Sequence, residues 1–203
     1  MHIAVAGNIG SGKTTLVGLL TKHYGWEARY DVDDNPYLYD FYLDMQRWSF
    51  HLQMFFLDKR FRQIVEIQKS KSTVIQDRTI FEDAYIFAVT LQEMNLMSAR
   101  DYSTYLSLFE LMNSLIAPPG LLIYLRASVP TLVKQIQKRG REYEKGIRLD
   151  YLKKLNEKYE KWIESYNHPK LIVDIDQINF LENPQDISTV INMIEAEING
   201  LFQ

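Results

Sequence analysis

A chain of 203 residues with 46% hydrophobic content is sized for one domain, read here as 1–203, with a full core. Its 23 Lys and Arg against 26 Asp and Glu leave a formal net charge of −3, which excludes the basic footprint of a nucleic-acid-polymer binder. The lack of cysteine excludes disulfides and thiolate-bound metals, and the apolar runs are too short to span a bilayer, so the expectation is a cytoplasmic chain with no membrane partner.

The first predicted element is a strand over 2–6, apolar from Ile3 to Ala6. It runs into "GNIGSGKTT", Gly7 to Thr15, and then into a helix-spaced run at Leu16, Leu19 and Leu20. Gly7, Gly12, Lys13 and Thr14 satisfy G-x-x-x-x-G-K-[ST] in the strand–loop–helix setting that motif requires. Glycines free the backbone of Gly7, Asn8, Ile9, Gly10, Ser11 and Gly12 to approach phosphates closely. The N–H groups opening the helix face the same anion. Lys13 is then placed to reach the β- and γ-phosphates and Thr14 to put its hydroxyl on Mg²⁺, with ATP as the phosphate donor.

A second strand is predicted over 28–32. A helix follows over 46–68, with Phe50, Met54, Leu57, Phe61 and Ile64 repeating at four-three spacing. Gln53 and Arg60 stand two turns apart on one face of it, and polar groups on a largely apolar helix need partners. Two readings stay open: an internal hydrogen-bond network, or a cleft wall where Gln53 pairs with a nucleobase edge among Phe41, Tyr42, Phe50 and Phe87.

The third strand, 73–76, delivers "QDRT". Asp77 and Arg78 emerge where a parallel sheet meets its ligand, the carboxylate suited to Mg²⁺ and the guanidinium to a transferring phosphoryl group. The alternative makes Asp77 a helix cap with a surface ion pair. Asp83 and Phe87, four residues apart, share a face of the helix beyond. A helix is predicted over 101–117, ended by "APPG" at 117–120, then a strand over 121–126 ("LLIYLR"). "VKQIQKRGREY" places Lys134, Lys138, Arg139 and Arg141 on a helix and the turn past Gly140, which fits a short Arg-rich lid with Glu144 turned inward. The fifth strand spans 170–175. Strand–helix alternation behind a P-loop implies an α/β, P-loop NTPase-type doubly wound five-stranded parallel sheet with helices on both faces.

With these residues in view, the chain resembles the deoxyribonucleoside kinases, in particular the bacterial deoxyadenosine and deoxyguanosine kinases. The resemblance covers nearly the whole length. It rests on "GNIGSGKTT", "DVDDNPYL", "FYLDMQRWSFHLQMFFLDKRF", "IQDRTIFEDAYIF" and "IQKRGREYEKGIRLDYLKKL". It implies transfer of phosphate from ATP to a deoxynucleoside 5′-hydroxyl, in a homodimer formed through a helical face. It also implies that Gln53 reads the base, Asp83 helps orient it and Phe87 stacks on it. Tyr42 and Glu144 would bind the sugar 3′-hydroxyl, and Leu38, Phe41 and Trp48 would shape the pocket. Arg78 would lie near the 5′-oxygen, Asp77 near Mg²⁺, and Arg139 and Arg141 would clamp the phosphates.

One position departs from the family pattern. The family's general base is a Glu two residues before the Val of "DVDDNPYL", where this chain has Tyr30; Asp31 is the nearest carboxylate, on a loop one residue short. Asp31 is therefore the candidate base, and a catalytically impaired nucleotide-binding protein of the same fold is the alternative. A nucleoside monophosphate kinase such as a thymidylate kinase is the rival enzyme, but it needs a further cationic site for the acceptor phosphate. A purine acceptor is expected from "DVDDNPYL" and from the small Ala84 beside Asp83.

Overall fold

The protein is described from a computed structural model covering residues 1–31, 35–180 and 183–200. Five parallel strands form one sheet: β1 (His2–Gly7), β2 (Glu27–Arg29), β3 (Val74–Asp77), β4 (Leu121–Arg126) and β5 (Lys170–Asp174), in the order β2-β3-β1-β4-β5. The helices are α1 (Lys13–Tyr24), α2 (Leu38–Leu43), α3 (Met45–Lys69), α5 (Ala99–Asn113), α6 (Val129–Arg139), α7 (Leu149–Ser165) and α8 (Pro184–Asn199). Between α3 and α5 runs a composite helix, here α4, built of Ile80–Glu82, a π-helical stretch Asp83–Ala88, and Val89–Glu93. The doubly wound architecture expected from the sequence is the one observed.

Alternation along the central strands explains the layering. Ile3 and Val5 of β1 and Leu121, Ile123 and Leu125 of β4 pack with Leu16, Val17 and Leu20 of α1 and Val190 and Ile194 of α8. Ala4, Ala6, Leu122 and Tyr124 point to the opposite face, against Leu52, Ile86, Tyr151, Leu155 and Tyr159. Both faces of these strands are buried, which is why their sequences read as continuous apolar runs. Leu122 is fully buried, and its truncation to Ala should cost about 2–5 kcal/mol through lost burial and the cavity left behind. A third cluster joins α3, α4 and α5 through Leu57, Ile64, Ala84, Tyr105 and Phe109.

Several boundaries moved. β2 ends at Arg29 rather than running to 32, and Val32 lies outside the described residues. Helix α5 ends at Asn113, four residues before the expected 117. Its apolar spacing continues into Leu115, but that side chain is 66% exposed. Pro118 and Pro119 supply no N–H and disfavour helical geometry before them, so the chain leaves by tighter bonds, Leu115 N to Met112 O (3.1 Å) and Ile116 N to Asn113 O (3.4 Å). The cap of α4 is Thr79, not Asp77: Thr79 and Glu82 form a reciprocal capping box, releasing Asp77 for the cleft.

Candidate active site

The loop after β1 is built around its glycines. Gly7 has φ 152°, and a Cβ there would lie 2.6 Å from Ser11 Oγ and 3.0 Å from Leu125 O. Gly10 has φ 86°, and its Cβ would meet Leu132 O at 2.9 Å. Asn8 is a buried strut: its Nδ2 donates to Leu152 O (3.2 Å) and Asn156 Oδ1 (3.1 Å), and its Oδ1 accepts from Ile9 N (2.8 Å). The loop is thereby pinned to α7, and Ile9 packs on the cores at both sides of it. Gly12 takes the left-handed conformation that lets α1 begin at Lys13. Lys13 Nζ bridges Gly7 O (2.8 Å) and Asn8 O (3.0 Å). Burial and the neighbouring Arg78 charge lower its pKa to about 7.

Beside it, Thr14 Oγ1 donates to Asp77 Oδ2 at 2.6 Å. The other oxygen, Oδ1, is buried with no hydrogen-bond partner among the described residues. Burial raises the Asp77 pKa. A buried carboxylate oxygen left open next to a hydroxyl and a phosphate loop suits Mg²⁺, which takes one or two protein oxygens and completes its shell with phosphates and water. Among the described residues no group of three or more His, Asp or Glu side chains could hold a metal ion by itself.

The opposite wall is made of ion pairs. Arg60, 1% exposed, binds both oxygens of Asp83 through Nη1 (2.8 and 2.7 Å) and Asp31 Oδ1 through Nη2 (2.6 Å). Arg78 donates from Nε to Asp31 Oδ2 (3.3 Å), and its guanidinium lies 4.6 Å from the centre of the Phe87 ring. Arg78 has φ 70°, rare for a side-chain-bearing residue, at the turn where its N–H still bonds Val5 O (2.9 Å). Burial pushes the Asp83 carboxyl up to about 7 while Arg60 and Arg78 pull it down. The π-helical winding places Asp83 and Phe87 on the cleft while Ala84 and Ala88 pack against α3 and α5.

Gln53 shares its face of α3 with Arg60, and its Oε1 is buried with no partner among the described residues. Leu38, Phe41 and Tyr42 of α2 and the unforeseen Leu52, Phe56 and Tyr151 complete this cleft. The lid follows α6. Gly140 (φ 66°) caps the helix, Arg139 Nε donates to Glu144 Oε2 at 3.0 Å, and Glu144 is 6% exposed. Tyr42 and Tyr143 stack at 6.1 Å, and burial beside Glu144 pushes the Tyr42 hydroxyl upward. A second cleft, lined by Gly10, Gly12, Thr15, Lys138, Arg139 and Arg141 among others, joins the first at Lys13 and Thr14.

Three residues expected at the pocket lie elsewhere. Trp48 sits outside the lining, among Tyr37, His51 and the Arg47 guanidinium. Ala84 faces the α3–α5 core, so its small size does not widen the cleft. Phe50 belongs to that core as well. Lys134 lies along an outer groove with Leu149 and Lys153. Glu82, fully buried, was missed; its only signal was the T-x-x-E spacing of "TIFE".

The sequence model of the family "Deoxynucleoside kinase" matches residues 3–199. The chain belongs to the deoxynucleoside kinase family. It is 38% identical to the deoxyadenosine/deoxycytidine kinase of Bacillus subtilis, over 97% of this chain and 93% of that protein. It is 36% identical to the deoxyguanosine kinase of Lactobacillus johnsonii, over 98% of this chain and 93% of that protein. A deoxyadenosine kinase from M. mycoides, solved with the products dCMP and a flexible dCDP, superimposes with a TM-score of 0.87 at 30% identity, covering 97% of this chain and all of that one. This kinase therefore carries its family's phosphate loop and, facing it, a wall of charged side chains. No helix among its described residues is long and apolar enough to cross a membrane.

Proposed function

We propose that this kinase transfers the γ-phosphoryl group of ATP to the 5′-hydroxyl of a purine deoxynucleoside, deoxyguanosine or deoxyadenosine, in nucleotide salvage. The observation that carries the reading is the junction of the two clefts at Lys13 and Thr14, directly beside Asp77 and Arg78. The triphosphate then lies along Gly7–Thr15, held by backbone N–H groups and Lys13, with Arg139 and Arg141 closing over it. Mg²⁺, held by Thr14 and the open oxygen of Asp77, would neutralise charge on the phosphates. In the other cleft Gln53 pairs with the base edge, Asp83 orients it through Arg60, and Phe87 covers its face. Leu38 and Phe41 bound the pocket, while Tyr42 and Glu144 take the 3′-hydroxyl.

Asp31 serves as the base for the 5′-hydroxyl. Although Tyr30 stands at the family's Glu position, Asp31 lines the cleft and is aimed by two guanidiniums. Phosphoryl transfer is loose and depends mainly on position and charge, so a carboxylate one methylene shorter still supports turnover. The names of the Bacillus, Lactobacillus and M. mycoides relatives support a purine acceptor; deoxycytidine also appears among them. We further place the enzyme in the cytoplasm, as one domain over 1–203, and as a homodimer. The exposed Tyr85, Leu111 and Leu115 on the α4–α5 side support the dimer.

Turnover of the four deoxynucleosides with ATP and Mg²⁺ tests the reading, with deoxyguanosine or deoxyadenosine expected to give the highest kcat/KM. Preferred turnover of deoxycytidine or thymidine would overturn the purine assignment. ATP binding without turnover of any nucleoside would identify an impaired kinase, and sedimentation of a monomer at micromolar concentration would remove the dimer.

A further inference from the structure

We infer that Glu82 and Tyr159 are positioning residues that fix Arg78 to the phosphate loop. The inference rests on the reading above that Arg78 stands beside the reacting oxygen. Glu82 is fully buried, and four donors converge on its carboxylate. Gly7 N (3.2 Å) and the Tyr159 hydroxyl (2.8 Å) reach Oε1, while Thr79 N (2.7 Å) and Thr79 Oγ1 (3.1 Å) reach Oε2. The Thr79 contacts are the ordinary business of a helix cap. The other two are not, because Gly7 opens the phosphate loop and Tyr159 lies on α7. A carboxylate, which only accepts, satisfies all four donors, whereas an amide would turn its own N–H groups onto two of them.

The Tyr159 hydroxyl has a single proton, and it goes to Glu82. Its lone pairs then remain to accept from Arg78 Nη1, which lies at 3.3 Å. Asp31 holds the same guanidinium at Nε, and the Phe87 ring lies against it. Arg78 is thus held from several directions, and its anchor through Tyr159 is the carboxylate that also holds Gly7. One buried acid therefore ties the donor loop to the acceptor-side cation before any substrate arrives. Such pre-set geometry matters in a reaction whose rate comes from alignment, where displacement by about 1 Å can cost about 10²-fold.

The test is steady-state kinetics of Tyr159→Phe, Glu82→Gln, Arg78→Ala and the double variant Arg78→Ala/Tyr159→Phe. Tyr159→Phe keeps the ring that packs against Tyr124 and Phe87, so it decides the matter even where Glu82→Gln fails to fold. The expected result is a kcat lowered about tenfold with KM for ATP unchanged, and no further loss when Tyr159→Phe is added to Arg78→Ala. Glu82→Gln should lower kcat more, since it disturbs Gly7 too. Full kcat in Tyr159→Phe, or effects that multiply in the double variant, would overturn the inference while leaving the role of Arg78 standing. A harmless Arg78→Ala would remove that role, and the inference with it.

Discussion

The loop Gly7–Thr15 faces the cleft with main chain and one lysine, whereas the opposite wall is made of charged side chains brought from distant elements. On the first side the partners are local: Lys13 bonds the carbonyls of Gly7 and Asn8, six and five residues away. On the second, Arg60 reaches Asp31 and Asp83 across 29 and 23 residues, and Arg78 reaches Tyr159 across 81. A backbone cradle suits a ligand common to many enzymes, because phosphates need N–H groups and positive charge but no recognition of shape. A side-chain wall suits the part that distinguishes one acceptor from another, because each pair can be exchanged separately. Substitutions should therefore affect ATP and nucleoside parameters separately, according to the side on which they fall.

The largest effect should come from Lys13→Ala, which removes the only side-chain cation inside the loop. Turnover should fall by about 10²–10³-fold or more, the range for deleting one strong charge stabiliser, with the fold retained in far-ultraviolet circular dichroism. Unchanged kcat would break the comparison at its donor end.

Asp31→Asn comes next. An amide can accept the hydroxyl's hydrogen bond but cannot usefully take its proton, so kcat should fall by about 10²-fold while KM for ATP stays constant. Retained turnover would show that the base lies elsewhere. The substitution also removes the charge between Arg60 and Arg78.

Gln53→Ala should act on the nucleoside alone. Loss of a buried amide paired with a base costs about 1–3 kcal/mol, seen as a raised KM for the nucleoside with KM for ATP unmoved. An effect confined to ATP would move Gln53 out of the acceptor pocket.

The smallest effect is a pH dependence on the donor side. Lys13 sits at about 7 in the free protein, lowered by burial and Arg78, so above neutrality much of it is uncharged. Triphosphate favours the ammonium and raises its pKa. Affinity should thus be full below pH 7 and fall by up to about tenfold per unit above it, with proton uptake on binding. Calorimetry at pH 8 in buffers of different ionisation enthalpy measures that uptake directly. Its absence would mean that Lys13 is already charged before ATP arrives.

The sequence alone determined the central strands β1 and β4 and the phosphate loop, because these depend on neighbours along the chain, whereas the end of β2 did not follow from it. Continuous apolar residues mark β1 and β4, and Gly7, Gly10 and Gly12 are legible because no side chain fits those backbone positions. Resemblance carried the reading further, to Gln53, Asp83, Phe87 and Glu144, which the fold gathers around one cleft, while it leaves Trp48 outside. Tertiary structure decided the rest. No local pattern announces the π-helical turn that sends Ala84 into the core and Asp83 into the cleft, since it follows from packing against α3, α5 and α7. Nor could spacing show that Glu82 bonds Gly7 and Tyr159, or that Arg60 joins Asp31 to Asp83. Those partners meet only once the sheet has stacked their elements, and burial then makes each pairing obligatory, because an unpaired charge there would cost several kcal/mol.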